Sequence, residues 1–492
     1  MSSTSERQVA PGQPFRSWCG IASSRARIFQ PHDLEDLCAV VERQARHGRI
    51  RAVGAGYAVS PLVPTDGSLV STAKLNRVVA FAPEGDAPWI EVEAGMTMWE
   101  LNQVVAPFGL RPVMPSLFPF PTLAGLLAVG GHGVGRRAGC FADHVDAIEY
   151  VAAEGEVRRI GRGEAGFEAF TTSLGCLGVI ARLRVRLERD HRVHMRRRWV
   201  SLERLCAEVE DLVASHEGVE LLMTPGDTRV ALITFDPTRA ECTRPPVPPR
   251  VRNFIDGAGA RLNDIFVGRH ARHSARRVHR VVSRMFAHMN RETSWVEWAS
   301  TAHHFLTFYP RNKNTCFAFD VQDASEAFGR LQASLEREHA AGRAPVNYGV
   351  HARFTGPSSS WLSPAYGRPT LQIDLVASDL TPDVESFFVQ MEREWLEIDS
   401  ARPHWGKLHY QPARAGTRYP MRSRFEAVRA EVDPLGVFLN AHVRAALGHA
   451  SERASKRASM PIDLFATEAA PEAECEAEAG AKAQRASDPV LV

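Results

Sequence analysis

The chain has 492 residues, 44% hydrophobic and 24% charged, enough to bury more than one core without cross-links. Lysine and arginine total 59 against 57 aspartate and glutamate, and a net charge of +2 gives no global field that would draw nucleic acid or anionic lipid. Eight cysteines stand far apart with no C-x-x-C pair, which argues against a zinc site or a disulfide framework and fits a reducing compartment.

Residues 1–13 are polar and lack the apolar core of a signal peptide, and no later stretch holds the roughly 18 uninterrupted apolar residues of a membrane span. The expectation is a cytoplasmic protein with no integral membrane segment. From Phe29 the pattern is a short strand, then a helix with Asp33 as N-cap and Leu34, Leu37, Val40 and Val41 on one face, closed by Gly48. A strand at 50–53 runs into Gly54-Ala55-Gly56-Tyr57-Ala58-Val59-Ser60-Pro61, where two glycines permit a tight turn. Strand-rich sequence follows at 69–72, 75–78 and 89–95, then a helix after Met98 carrying Leu101, Val104 and Val105. A proline-punctuated segment at 112–121 leads to Leu123-Ala124-Gly125-Leu126-Leu127-Ala128-Val129-Gly130-Gly131-His132-Gly133-Val134-Gly135, a second glycine-rich loop.

Residues 145–153 and 156–160 read as a hairpin turning at Glu154-Gly155. A short helix and an alternating strand over 167–184 close a first unit near residue 190. Beyond it come a helix at 202–215, a proline-rich linker at 245–249 and a basic stretch at 261–285. Strands at 317–321, 349–354 and 371–376 then alternate with helices at 324–340 and 384–398, an α+β pattern. From Ala466 onward alanine and glutamate dominate with few apolar anchors, which predicts a disordered tail.

Two glycine-rich turns suit a diphosphate gripped by backbone N–H groups, because glycine lets the main chain approach closely; a single such turn is more often a plain tight turn. The ordered series from Ile50-Arg51-Ala52-Val53-Gly54-Ala55-Gly56 through Asp66-Gly67, Leu75-Asn76-Arg77-Val78, Val92-Glu93-Ala94-Gly95, the second glycine loop and Ser173-Leu174-Gly175-Cys176-Leu177-Gly178-Val179-Ile180 resembles the FAD-binding domain of the vanillyl-alcohol oxidase superfamily. Arg402-Pro403-His404-Trp405-Gly406-Lys407 and Asp433-Pro434-Leu435-Gly436-Val437-Phe438-Leu439-Asn440 resemble C-terminal signatures of its aldonolactone and alditol oxidase branch. Arg353-Phe354-Thr355 with Trp361-Leu362-Ser363-Pro364 is similar to that branch's substrate-domain strand.

The resemblance implies an α+β fold: a two-part PCMH-type FAD-binding domain with an inserted α+β substrate (cap) domain. On that pattern residues 1–17 are a disordered N-terminus, 18–190 the FAD-binding domain, 191–414 the cap, 415–450 a segment returning to the FAD domain, and 451–492 a disordered tail. FAD would be held by Gly54, Ala55, Gly56, Tyr57, Ala58, Ser60, Pro61, Ser116, Thr122, Gly125, Gly130, Gly131, His132, Gly133, Gly135, Gly178, Val179, Ile180 and Asn440, with its adenine end near 173–180. The implied partners are a small-molecule donor and oxygen or another electron acceptor.

The chain departs from the family twice. Where many members carry a histidine bonded to the flavin, it has Tyr57, which predicts non-covalent FAD with an aromatic ring packed beside it. Where relatives place Glu-x-Arg it has His351-Ala352-Arg353. A histidine, with an ordinary pKa of about 6.5, is chemically able to act as the base; a structural histidine is the competing reading. Arg353 would stabilise negative charge, against an alternative of a surface ion pair, and Lys407 would sit beside flavin and substrate, against a structural salt bridge. His404 and Trp405 would shape the pocket.

His132 has no metal-ligating partner at helical or strand spacing and reads as a flavin-loop contact. Arg269, Arg272, Arg276, Arg277 and Arg280 lie beside an apolar stripe of Val278, Val281, Val282, Met285 and Phe286, a helix face either solvated or placed against an acidic membrane or partner. Trp295, Trp298, Phe305, Phe308 and Tyr309 line a pocket or fill a core. The expected function is FAD-dependent oxidation of an alcohol, polyol or sugar lactone by hydride transfer, with His351, Arg353 and Lys407 catalytic; the alternatives are a tailoring enzyme for a larger hydrophobic substrate and a redox-inactive binding module.

Overall fold

The structure, a computed structural model, describes residues 14–449 except 115, 138, 225–226, 244–248, 271–273 and 303–310. The expectations for residues 1–13, most of the proline-rich linker, positions 271–273, Phe305, Phe308, Tyr309, Cys475 and the tail fall outside the described residues. The 1–17 stretch is not disordered throughout: Phe15–Arg16 pairs with Ser23–Ser24, since Phe15 is buried against Ile28, Val53 and Leu69.

The helix Leu34–Ala45 begins at Asp33, whose carboxylate accepts from Asp36 N, and buries Leu37, Val40 and Val41. It joins Arg27–Phe29 to Ile50–Val53, and both strands pair in parallel with Ser68–Ser71. The helix Met98–Val105 starts at a capping box between Thr97 and Glu100. A six-stranded sheet follows in the order Val157–Gly161, Val145–Val151, Val179–Arg189, Trp89–Glu93, Val78–Ala82, with Leu110–Pro112 also on Val179–Arg189. Alternation along its long strand turns Leu183, Val185 and Leu187 inward, while Arg182, Arg184 and Arg186 pair with Glu149, Glu91 and Asp146.

The larger sheet has eight antiparallel strands in the order Thr293–Trp298, Arg192–Ser201, Arg229–Thr238, Gly218–Met223, Val350–Thr355, Thr370–Ser378, Asn312–Asp320, Arg402–Pro403. In register, Leu221, Ala352, Ile373 and Phe317 share one face, which packs in a core with the helices Ala324–Ala340 and Val384–Trp395. Leu222, His351, Asp374 and Cys316 therefore occupy the other face. The helix expected over 202–215 is two, Leu202–Ala207 and Val209–Ser215, broken at Glu208. The basic stretch is divided between Pro249–His270 and Ala275–Met289, which bury Val267, Val278 and Val282 together.

The C-terminal segment returns to the first glycine loop through polar contacts. The buried Arg51 guanidinium donates to the carbonyls of Leu62, Leu174, Gly175 and Phe438 at 2.6–2.8 Å. Asn440 donates to the carbonyls of Pro61, Leu62 and Pro64 while its Oδ1 caps Val443 N.

Leucine at position 51 would leave the carbonyls of Leu174, Gly175 and Phe438 without that donor, with Leu62 still held by Asn440, and buried unpaired polar groups cost about 1–3 kcal/mol each. Arg51→Leu is expected to lose about 3 kcal/mol or more in chemical denaturation. Arg51→Lys should recover only part of the loss, because an ammonium has fewer donors and no planar fork.

Candidate active site

The two glycine loops line one cavity of about 830 Å³. Gly54, Ala55, Gly56, Tyr57 and Ala58 form one wall; Ser116, Thr122, Gly125, Gly131 and His132 form the next, with Gly178 and Ile180 beyond. A Cβ at Gly54 would stand 2.1 Å from Thr122 Oγ1, so a bare backbone is what allows the loops to meet. Gly178 has φ +127°, and a Cβ there would come within 2.7 Å of the Tyr150 ring. Tyr57 stacks between Trp18 (5.7 Å) and Phe120 (6.4 Å).

Seven of the residues expected to touch cofactor are not on the cavity wall: Ser60, Pro61, Gly130, Gly133, Gly135, Val179 and Asn440. Several hold the surrounding backbone together. Ser60 donates to the Trp405 carbonyl, Asn440 holds the 61–64 turn, and Gly135 bridges to Thr355. Trp405 itself is buried behind the wall and donates to the Leu362 carbonyl.

The front face of the large sheet supplies the charged end of the same cavity. His351, Arg353 and Lys407 all line it. Two carboxylates that sequence reasoning missed join them: Glu220 and Asp374. Directly opposite in register are Glu220 with Arg353 and Asp374 with His351, yet the hydrogen bonds run diagonally. His351 Nε2 meets Glu220 Oε1 at 2.5 Å, and Arg353 donates to Asp374 Oδ2. Lys407 Nζ lies 3.9 Å from Asp374 Oδ1. Arg353 is buried, so its partner is not a surface ion pair. The missed carboxylates had a signal, since each interrupts an apolar strand, Gly218–Met223 or Thr370–Ser378, where an isolated charge is too costly without a cation.

Burial alone would raise both carboxyl pKa values. His351, followed by Arg353 and Arg197, outweighs it and holds Glu220 below the usual range; Arg353 and Lys407 hold Asp374 far below. The imidazoles of His132 and His404, with ring centroids 5.5 Å apart, are kept neutral. Burial, reinforced by Arg353, pushes His132 well down; burial and Lys407 bring His404 to about 3. His132 Nδ1 donates to Gly133 O, and His404 Nδ1 accepts from Gly406 N. Among the described residues no group of three or more potential metal ligands is assembled, and no helix is long and apolar enough to cross a membrane.

Asp374 Oδ1, Asn314 Oδ1 and Arg353 Nε are buried on this wall without a hydrogen-bond partner, the mark of a surface shaped for a polar ligand. Glycine-rich loops at one end and a charged cluster at the other, within one cavity of this volume, fit FAD with a donor beside it.

Comparison with known proteins gives the same reading. The D-arabinono-1,4-lactone oxidase family matches residues 183–446, and the FAD binding domain family matches 26–161. L-gulono-1,4-lactone dehydrogenase of Mycobacterium tuberculosis is 28% identical over 86% of this chain and 96% of its own. Alditol oxidase of a Streptomyces species is 29% identical over 88% and 98%, and L-gulonolactone oxidase of Bos taurus 25% over the same shares. Among solved structures, a solvent-stable cholesterol oxidase superposes with a TM-score of 0.70 at 16% identity, covering 88% of this chain and 97% of that one. The cholesterol oxidase of B. sterolicum gives 0.71 at 14%, covering 88% and 96%.

Asp374→Asn would leave Arg353 buried without its counter-ion, a loss of about 3–5 kcal/mol near neutrality. The folded pKa of Asp374 lies below the unfolded value of about 3.9, so its contribution is present above that value and is lost as the pH falls through the folded one. Denaturation titrations should show the wild-type advantage shrinking below about pH 4. An equal gap at every pH would show that Asp374 does not stabilise as a carboxylate.

Proposed function

Because the chain belongs to the D-arabinono-1,4-lactone oxidase family, and is an FAD-dependent oxidoreductase, we propose that it oxidises the C–H next to a hydroxyl in an alcohol, polyol or sugar lactone, with FAD bound non-covalently. The observation that carries this reading is the union, in one cavity, of the glycine-loop backbone with His351, Glu220, Arg353, Asp374 and Lys407. Bound FAD supplies the two-electron acceptor for the hydrogen leaving carbon. The backbone of 54–58 and the wall from Thr122 to His132 would hold it.

Glu220 can only accept a hydrogen bond from a neutral His351, so Nε2 carries the proton and Nδ1 keeps the lone pair. That nitrogen takes the donor's hydroxyl proton, and the resulting imidazolium faces the Glu220 carboxylate. Arg353 and Lys407, tied to Asp374, direct positive charge at the oxygen as it loses its proton. The neutral His132 and His404 contribute shape and hydrogen bonding without adding charge. Seven described cysteines stand as free thiols, the state a reducing compartment keeps, and on that ground we place the protein in the cytoplasm. The electron acceptor is oxygen or a second redox partner; re-oxidation in air of donor-reduced protein separates the two.

With Tyr57 held between two aromatic rings, acid precipitation should release the yellow cofactor into the supernatant. A yellow pellet would mean a covalent link. In anaerobic single-turnover reduction by a true donor, His351→Ala is expected to be slower by at least about tenfold. Glu220→Gln should displace the pH profile of that reduction, whereas a merely structural Glu220 would leave the profile in place; unchanged rates in both variants would remove the pair from the mechanism.

A further inference from the structure

The cavity does not end at the charged cluster. Four strand steps separate the His351 strand from the Trp295 strand at the sheet's edge, and at about 4.8 Å per step the front face continues for roughly 19 Å. The residues it presents along that path change character. Past Glu220 the wall consists of Leu222, Ile233, Met195 and Trp295, each on a different strand and all lining the same cavity. Register explains the series: Ile233 lies opposite Glu220 and Arg197, and Met195 lies opposite Phe235 and Trp295. The helix Ala275–Met289 also lines the cavity through Val282, Met285 and Phe286, and a Cβ at Gly349 would stand 3.2 Å from the Phe286 ring.

Two charged residues lie in the same half, and both are engaged with Trp295. The Arg197 guanidinium stands 5.4 Å from the indole centroid, and Glu297 accepts the indole N–H at 2.5 Å. They extend the aromatic surface more than they offer a polyol a row of hydrogen-bonding groups. A sugar ring or a short alditol placed with its reacting carbon at His351 spans only part of that roughly 19 Å. Its hydroxyls, if they reached further, would be desolvated against Leu222, Ile233 and Met195 without partners, which costs binding energy.

We propose that the donor is amphipathic: a hydroxyl-bearing head held by His351, Arg353 and Lys407, and an extended apolar body lying along Leu222, Ile233, Met195 and Trp295 beside Met285 and Phe286. This deepens the reading of the site as an FAD-linked alcohol oxidation and rests on it. The apolar half sets affinity and specificity; the chemistry stays at the charged end.

The test uses the flavin-loaded protein. Binding of methyl ethers of straight-chain alcohols from hexanol to dodecanol, which cannot be oxidised at the hydroxyl, is measured by titration calorimetry alongside sorbitol and gulonolactone. Anaerobic flavin bleaching by the parent alcohols, sorbitol and gulonolactone is followed in parallel. Affinity is expected to rise about three- to fourfold per methylene until the chamber is full, with a negative heat-capacity change. Met285→Gln, a partly exposed position that should fold, is expected to flatten that rise. Affinities that do not change with chain length, together with bleaching by sorbitol or gulonolactone, would overturn the amphipathic donor and leave the alcohol oxidation standing. Bleaching by no alcohol, polyol or lactone would remove both.

Discussion

A buried cation with no carboxylate paired to it among the described residues underlies the cofactor side of the molecule. Arg51 lies deep beneath the first glycine loop, and burial brings its pKa down to about 10. Carbonyl oxygens hold it there: Leu62 from the loop's far end, Leu174 and Gly175 from the segment after the second loop, and Phe438 from the segment that precedes the helix Ala441–Leu447. Carbonyl dipoles from such separated segments must all be aimed at one point for the charge to be tolerated. One side chain thus fixes the mutual position of three backbone segments around the cavity. Asn440 repeats the device on a smaller scale, satisfying the three carbonyls of the adjacent turn. The glycines can then leave their backbone bare, because the loops' shape is imposed from behind.

The charged side of the cavity follows a different rule, the period of two in a strand. Once the back face is committed to Leu221, Ala352, Ile373 and Phe317 against the two long helices, Glu220, His351, Arg353 and Asp374 have nowhere to project but forward. The cost of burying them is met within the group, since Asp374 faces Arg353 and Lys407 while Glu220 faces His351 and Arg353. Their arrangement is held by cross-strand contacts within a sheet, not by mobile loops, and a rigid support is what positioned acid–base chemistry requires.

These two rules explain what could be read in the sequence and what could not. Gly54, Gly56, Gly125 and Gly131 announce themselves because glycine at close approach is a local demand, and Asp33 marks its helix for the same reason. His351, Arg353 and Lys407 were recognisable from short motifs, and all three face the cavity. Glu220 and Asp374 were not, because their meaning depends on which strands are neighbours, and strand order is decided by tertiary packing. Ser60, Gly135 and Asn440 sit in recognisable motifs too, yet they support the wall from outside it. Proximity in a motif does not separate a residue that touches a ligand from one that shapes what does. The break at Glu208 is equally invisible to periodicity, since both short helices bury their residues at helical spacing.

The diagonal pairing sets the charge balance around His351, where the resemblance places a glutamate in relatives. A histidine alone beside Arg353 would gain a proton against an adjacent positive charge, an unfavourable step in a buried site. Glu220, opposite Arg353 in register but bonded to His351, places a full negative charge where that proton arrives. Asp374 meanwhile takes over Arg353, which keeps the guanidinium from competing for Glu220. The negative charge beside His351 therefore comes from the neighbouring strand, through Glu220. The arrangement uses both acids: Glu220 without Asp374 would be drawn to Arg353, and loss of Glu220 would remove the carboxylate that His351 Nε2 meets. The substitution at 351 and the carboxylates at 220 and 374 form one unit, and none of the three is interpretable by itself.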